Sequence, residues 1–179
     1  VLAATALMAL VGCGANTEPG EAVVIKKASG TKVVKNGIYH SWGRDKVFFI
    51  ETQLQHYPED DMQILCADNI NMSVDIKTTM AFTDYDTGQP GLAFIMERCP
   101  PNKQGRISPD EIYGMSIRPI IRNAAREVVS PYITDEIREN RGDIQKRLGE
   151  LVRSRLADLN YPIEITSVLI SNIDYPQLV

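Results

Sequence analysis

Histidine is almost missing from this sequence and cysteine is scarce. His40 and His56 are the two histidines among 179 residues, and there are three cysteines. A zinc site usually takes three or four ligands. The two histidines fall on separate expected strands, so exposed or interfacial imidazoles are expected rather than a metal centre. No glycine-rich phosphate loop, no Gly-x-Ser-x-Gly elbow and no carboxylate pair at a catalytic spacing occurs. Neither an enzyme nor a cofactor is therefore expected. Positive charge is not in excess. The formal net charge is −4, which argues against a nucleic-acid partner, because such domains usually carry a basic face. Asp84-Tyr85-Asp86-Thr87-Gly88 lacks a calcium loop's ligands. Gly88 stands at the fifth position and Ile95 at the twelfth, where an oxygen ligand and a Glu are required. A surface turn is expected there.

A long hydrophobic run is also lacking. Val1 to Val11 is apolar apart from Thr5, too short alone for a bilayer, which needs about 20 residues. It ends in Leu10-Val11-Gly12-Cys13, the lipobox pattern of bacterial lipoproteins. A short apolar segment enters the translocon, a small residue fits the signal peptidase, and the Cys13 thiolate takes the lipid. Residues 1–12 are read as a truncated signal peptide. Residues 13–20 are read as the lipidated cysteine and a flexible tether, and 21–179 as one folded domain. A protein anchored in this way faces the periplasm. Basic residues are expected upstream of Val1. The rival reading is the last half of an ordinary transmembrane helix. Cys66 and Cys99 then remain. A buried free Cys66 is expected, although an oxidising compartment would allow the pair to bond.

The first half is rich in strand signals. Glu21–Lys26 reads as a short strand, and Val33–Lys35 with Ile38–His40 as a hairpin about Asn36-Gly37. Lys46–Tyr57 reads as one longer strand, Pro58–Asp61 as a turn, and Met62–Cys66 as another strand before a turn at Ala67-Asp68-Asn69. Ile70–Thr83 alternates most cleanly. Ile70, Met72, Val74, Ile76, Met80 and Phe82 share one face, as in a half-buried antiparallel strand. That face is expected to pack on the helix Ile117–Val129. Residues 89–106 are irregular, around a short helix at Leu92–Glu97. Ser108-Pro109-Asp110-Glu111 restarts order as a capping box.

The second half is helical, then extended. Ile133, Ile137, Ile144, Leu148, Leu151, Val152, Leu156 and Leu159 recur at steps of three, four and seven, one stripe of one long amphipathic helix. Pro162 ends it. Ile163, Ile165, Val168, Ile170 and Ile173 form a strand whose phase slips near Ser167, a bulge signal. The fold class is α+β: an antiparallel β-rich half, two helices and a final strand. Arg118, Arg122 and Arg126 make an i, i+4, i+8 stripe. It is either a solvated face pairing with carboxylates or a contact for a neighbour or lipid headgroups.

Over Ile117–Pro176 the chain resembles the SPFH, or band-7, family of prohibitins, stomatins and flotillins. The matching residues are Arg122-Asn123, Arg141 followed by Ile144, the leucine run Leu148 to Leu159, the Ile163-to-Val168 strand and Ile173-Asp174-Tyr175-Pro176. The family usually has Gly-Ile or Gly-Val between helix and strand, where this chain has Asn160-Tyr161-Pro162-Ile163. The resemblance implies a membrane-anchored scaffold that self-assembles and organises lipids or membrane proteins, including membrane proteases. Its assembly surface would then include Arg118, Arg122, Arg126, Arg138 and Arg141, and members of the family usually continue beyond the last strand into a long coiled coil. The competing class is a monomeric periplasmic lipoprotein that binds a ligand or peptide on its solvated sheet face.

Overall fold

A computed structural model describes residues 13–28, 30–35, 37–41, 43–82, 95 and 98–174. The expected signal peptide, the Asp84–Gly88 turn, Asn36, most of the Leu92–Glu97 helix and Tyr175-Pro176 lie outside the described residues. The architecture is α+β, with three antiparallel-rich sheets, then helices and a final strand.

The strands are β1 Cys13–Asn16, β2 Glu21–Lys27, β3 Gly30–Lys35, β4 Ile38–Ser41, β5 Lys46–Glu51, β6 Gln55–Leu65, β7 Asn71–Phe82, β8 Arg106–Ile107 and β9 Ile163–Asp174. One sheet has the order β3-β2-β5-β8, a second is the pair β1-β4, and a third is β6-β7-β9. The helices are α1 Pro109–Ile112, α2 Arg118–Val129, α3 Thr134–Glu139 and α4 Arg141–Asp158. A π-helical turn, Tyr113–Ile117, joins α1 to α2. Helix α2 lies nearest β6 and α4 nearest β9, so the two together cover one face of the third sheet. One continuous core runs from Ala22, Val24 and Ile50 through the even-numbered face of β7 to Ile121, Ile144, Leu148 and Val152.

Strand β7 keeps the expected alternation along its full length. Strand β9 slips register against β7 at Thr166, beside the expected Ser167, and again at Ser171. Several boundaries differ from expectation. Lys46–Tyr57 is two strands in two sheets, because the chain crosses between sheets at Thr52–Leu54. Pairing partners decide such a crossing, and apolar alternation does not record them. Pro58–Asp61 is not a turn but the bulged middle of β6, where Asp61 turns to φ 53° and donates its N–H to Asp75 Oδ1 at 2.9 Å. Strands β3 and β4 do not form a hairpin. Thr17 takes both backbone groups of Gly37, so β4 pairs with β1 while β3 pairs with β2. Cys13–Asn16 is therefore a strand and not a free tether.

The long helix is interrupted. Asn140 leaves helical geometry at φ −96°, ψ 12°, and its side-chain amide donates to the Glu136 carbonyl at 2.9 Å. A side chain that competes for a helix carbonyl favours a break. Ile133 and Leu159 fall outside the two helices and are 42% and 50% exposed, so the buried stripe is shorter than its period suggests. Ser108 caps α1 without a side-chain hydrogen bond, so the capping box does not form. At the end of α4, Asn160 adopts φ 52°. Tyr161 N–H donates to Leu156 O and Asn160 N–H to Ala157 O, the paired bonds of a Schellman cap. Asparagine tolerates the left-handed region better than most side chains, so Asn160 closes this turn without a glycine.

Candidate functional site

The arginine stripe meets a buried acid that the sequence pattern did not flag. Glu59, at the β6 bulge, is 2% exposed. A carboxylate at that depth is retained only with partners. Tyr113 Oη donates to it at 3.1 Å. Arg118 Nε lies 2.7 Å from one of its oxygens and 3.0 Å from the other. Arg122 Nε stands 3.7 Å away. Tyr113 also stacks on Tyr57, with centroids 4.0 Å apart and planes within 7°. Burial, then the Glu59 charge, pushes the Tyr113 phenol far above its ordinary value. Burial, then the Asp110 charge, does the same to Tyr57. Both phenols stay protonated at neutral pH, so they offer no base. The cluster ties the π-turn and the start of α2 to an outer strand of the third sheet.

Arg118 and Arg122 are thus paired within the chain, one of the two alternatives open for the stripe. Arg141 is engaged elsewhere. It donates to the carbonyl of Ile170, and to that of Ser171 at 3.3 Å, on β9. Since β6 and β9 flank β7, these arginines lie on opposite sides of the helical layer. Arg126 and Arg138 are exposed and form no ion pair among the described residues. The structure therefore does not gather the five arginines at one point.

Two further polar contacts of α4 are directed at β9. Arg153 Nε donates to Ile165 O at 3.1 Å, and Gln145 Oε1 accepts from Ile170 N–H at 3.3 Å. With Arg141, these side chains occupy the backbone groups along the free edge of the sheet. A shallow groove of about 400 Å³ over Gly149, Lys146 and Val168 separates them. Arg155 pairs with Glu127 and joins α4 to α2.

The remaining candidates are structural. Asp68 Oδ2 accepts from Thr134 N–H at 2.9 Å, capping α3 from a distant turn. That bond holds the Asp68 carboxyl below the usual range. Cys66 and Cys99 are free and buried, and burial raises both thiols. His56 Nδ1 meets Thr79 Oγ1 at 3.0 Å across the β6–β7 pair, and His40 is exposed on β4. Among the described residues there is no cluster of three or more His, Cys, Asp or Glu placed to hold a metal ion. Among them too, no helix is long and apolar enough to cross a membrane.

Only the backbone of Cys13 is described. It starts β1, opposite Ser41. No curated protein matches the chain. The model of the SPFH domain / Band 7 family matches residues 15–179, which takes in every element described above except the first two residues of β1. The chain belongs to the SPFH domain / Band 7 family.

Proposed function

We propose that the protein is a lipoprotein scaffold, anchored through a lipid on Cys13 and facing the periplasm. It self-assembles on the membrane and organises lipids or membrane protein partners, a membrane protease among them. The observation that carries this reading is family membership over residues 15–179. The chemistry agrees with it. The Tyr57, Tyr113 and Tyr161 phenols and the two thiols are all raised, with burial the largest cause, and so are held protonated. That is the reverse of what a base or nucleophile needs. Arg126 and Arg138 offer exposed charge, without an ion pair among the described residues, on the helical layer for a neighbouring copy.

The test is the size of the Cys13→Ser protein, in solution and on vesicles, by light scattering and crosslinking. Concentration-dependent oligomers are expected. A strict monomer at high concentration and on vesicles would overturn the scaffold. Fatty-acid labelling of the wild-type protein, lost in Cys13→Ser, tests the anchor separately.

A further inference from the structure

The molecule is negative overall, yet one end of its N-terminal sheet is strongly positive. The strand register brings Lys26 and Lys27, at the end of β2, together with Lys46, at the start of β5. Lys32 sits near the start of β3, two residues from Gly30, which pairs with Lys27. Arg44 lies in the β4–β5 turn. This end holds five cations and one carboxylate, Asp45, in a chain whose net charge is −4. The opposite end carries Glu18, Glu21 and Glu51, with Arg106 bound to Glu21 at 2.7 Å. Among the described residues no ion pair holds any of the five cations. Lys26 and Lys46 stand directly across from each other on paired strands. Like charges so placed are destabilising, so the fold carries a cost here that an external anion would offset.

The same end holds Cys13. β1 runs from Cys13 towards the acidic end, and Cys13 pairs with Ser41, where β4 enters the turn to Lys46. Four residues separate Ser41 from Lys46, so the two lie at most about 18 Å apart. We infer that Lys26, Lys27, Lys32, Arg44 and Lys46 form a docking face for an anionic phospholipid bilayer. It holds the first sheet end-on against the surface, with the acidic end turned away. The choice of a membrane over another polyanion rests on the proposed lipid at Cys13. The charge pattern itself does not depend on that lipid.

The experiment uses the full chain carrying Cys13→Ser, so that no acyl chain contributes and residues 1–12 are the same in every arm. Its binding is measured to vesicles of phosphatidylcholine alone and of equimolar phosphatidylcholine and phosphatidylglycerol. Binding is expected to the anionic vesicles only and to weaken with salt. Each basic residue near such a surface is worth about fivefold in binding, so Lys26→Gln with Lys46→Gln should lose more than tenfold. The same charge change at Lys77→Gln with Lys146→Gln should leave binding within about twofold, since neither lies at this end. Relief of the opposed lysines should also leave the double variant's melting temperature unchanged or higher, which separates lost docking from lost folding. Equal binding to both vesicles, or equal loss from the two double variants, would overturn the docking face. Mass spectrometry of wild-type protein from membranes reads the anchor independently. An unmodified Cys13 with intact charge-dependent binding would remove the lipid and leave the face.

Discussion

At the residue scale, the sharpest local commitment is the burial of Glu59. Its neighbours are unequal: Arg118 binds both oxygens, Arg122 stands farther off, and Tyr113 donates from the packed side. Glu59→Gln keeps the shape and removes the charge, so it should cost only about 1–2 kcal/mol, read as a lower urea midpoint. Arg118→Met leaves the buried carboxylate with weaker partners and should lower the midpoint further than Glu59→Gln does. A midpoint equal to wild type for Arg118→Met would mean that the pair contributes nothing. Asp68 gives a pH-dependent case. Its folded carboxyl lies below the ordinary value of 3.8 because the Thr134 N–H stabilises the charged form. A depressed carboxyl stabilises the fold fully above its unfolded value, and that stability is lost as pH falls through the folded value. The melting difference between wild type and Asp68→Asn should be constant from neutral pH down to about 5 and close below the unfolded carboxyl range. A gap that stayed constant to the lowest pH would contradict the assigned cause.

At the element scale, α4 does two jobs. Its apolar face, Ile144, Leu148, Val152 and Leu156, closes the core. Its flank satisfies the backbone of β9, an outer strand that would otherwise offer a pairing edge. Arg141→Ala with Gln145→Ala should therefore speed hydrogen exchange at the Ile170 amide while the β7–β9 amides stay protected. Uniform acceleration along β9 would instead indicate global destabilisation. The Schellman cap at Asn160 gives a second check. Asn160→Val forces a branched side chain into a left-handed residue and should cost about 1–2 kcal/mol, with Asn160→Gly near neutral in the same melt. Equal melting of the two variants would mean that the turn rearranges freely. The break at Asn140 shows how local chemistry divides what periodicity joins. The apolar stripe continues in register across it, and one amide to the Glu136 carbonyl ends the first segment.

At the scale of the whole molecule, charge is sorted by position. The first sheet has a basic and an acidic end, and the helical layer presents Arg126 and Arg138 to solvent. If the exposed pair meets carboxylates of a neighbouring copy, Arg126→Glu with Arg138→Glu should shift the oligomer towards smaller species in light scattering. The single-chain melting temperature should change little, since neither arginine holds an ion pair among the described residues. Unchanged assembly in that variant would move the interface to another face, the groove beside β9 being the next to test.

What could be read from the sequence alone was what neighbours along the chain settle. The alternation from Ile70 to Phe82 gave β7, the three-four-seven spacing gave the buried face of α4, and the phase slip near Ser167 gave the β9 bulge. The order of these elements carried the family resemblance. These are periodic or short-range features, because a side chain's face follows from its position in the repeat. The tertiary structure alone decided the rest. It split Lys46–Tyr57 between two sheets, turned Pro58–Asp61 into a bulge, paired Cys13–Asn16 with β4, and brought Glu59 to Arg118 across 59 residues of chain. It also set Lys26 opposite Lys46. Each of these depends on which strand or helix lies alongside, and that choice is made by the shared core and the satisfaction of buried polar groups, neither of which has a local signature.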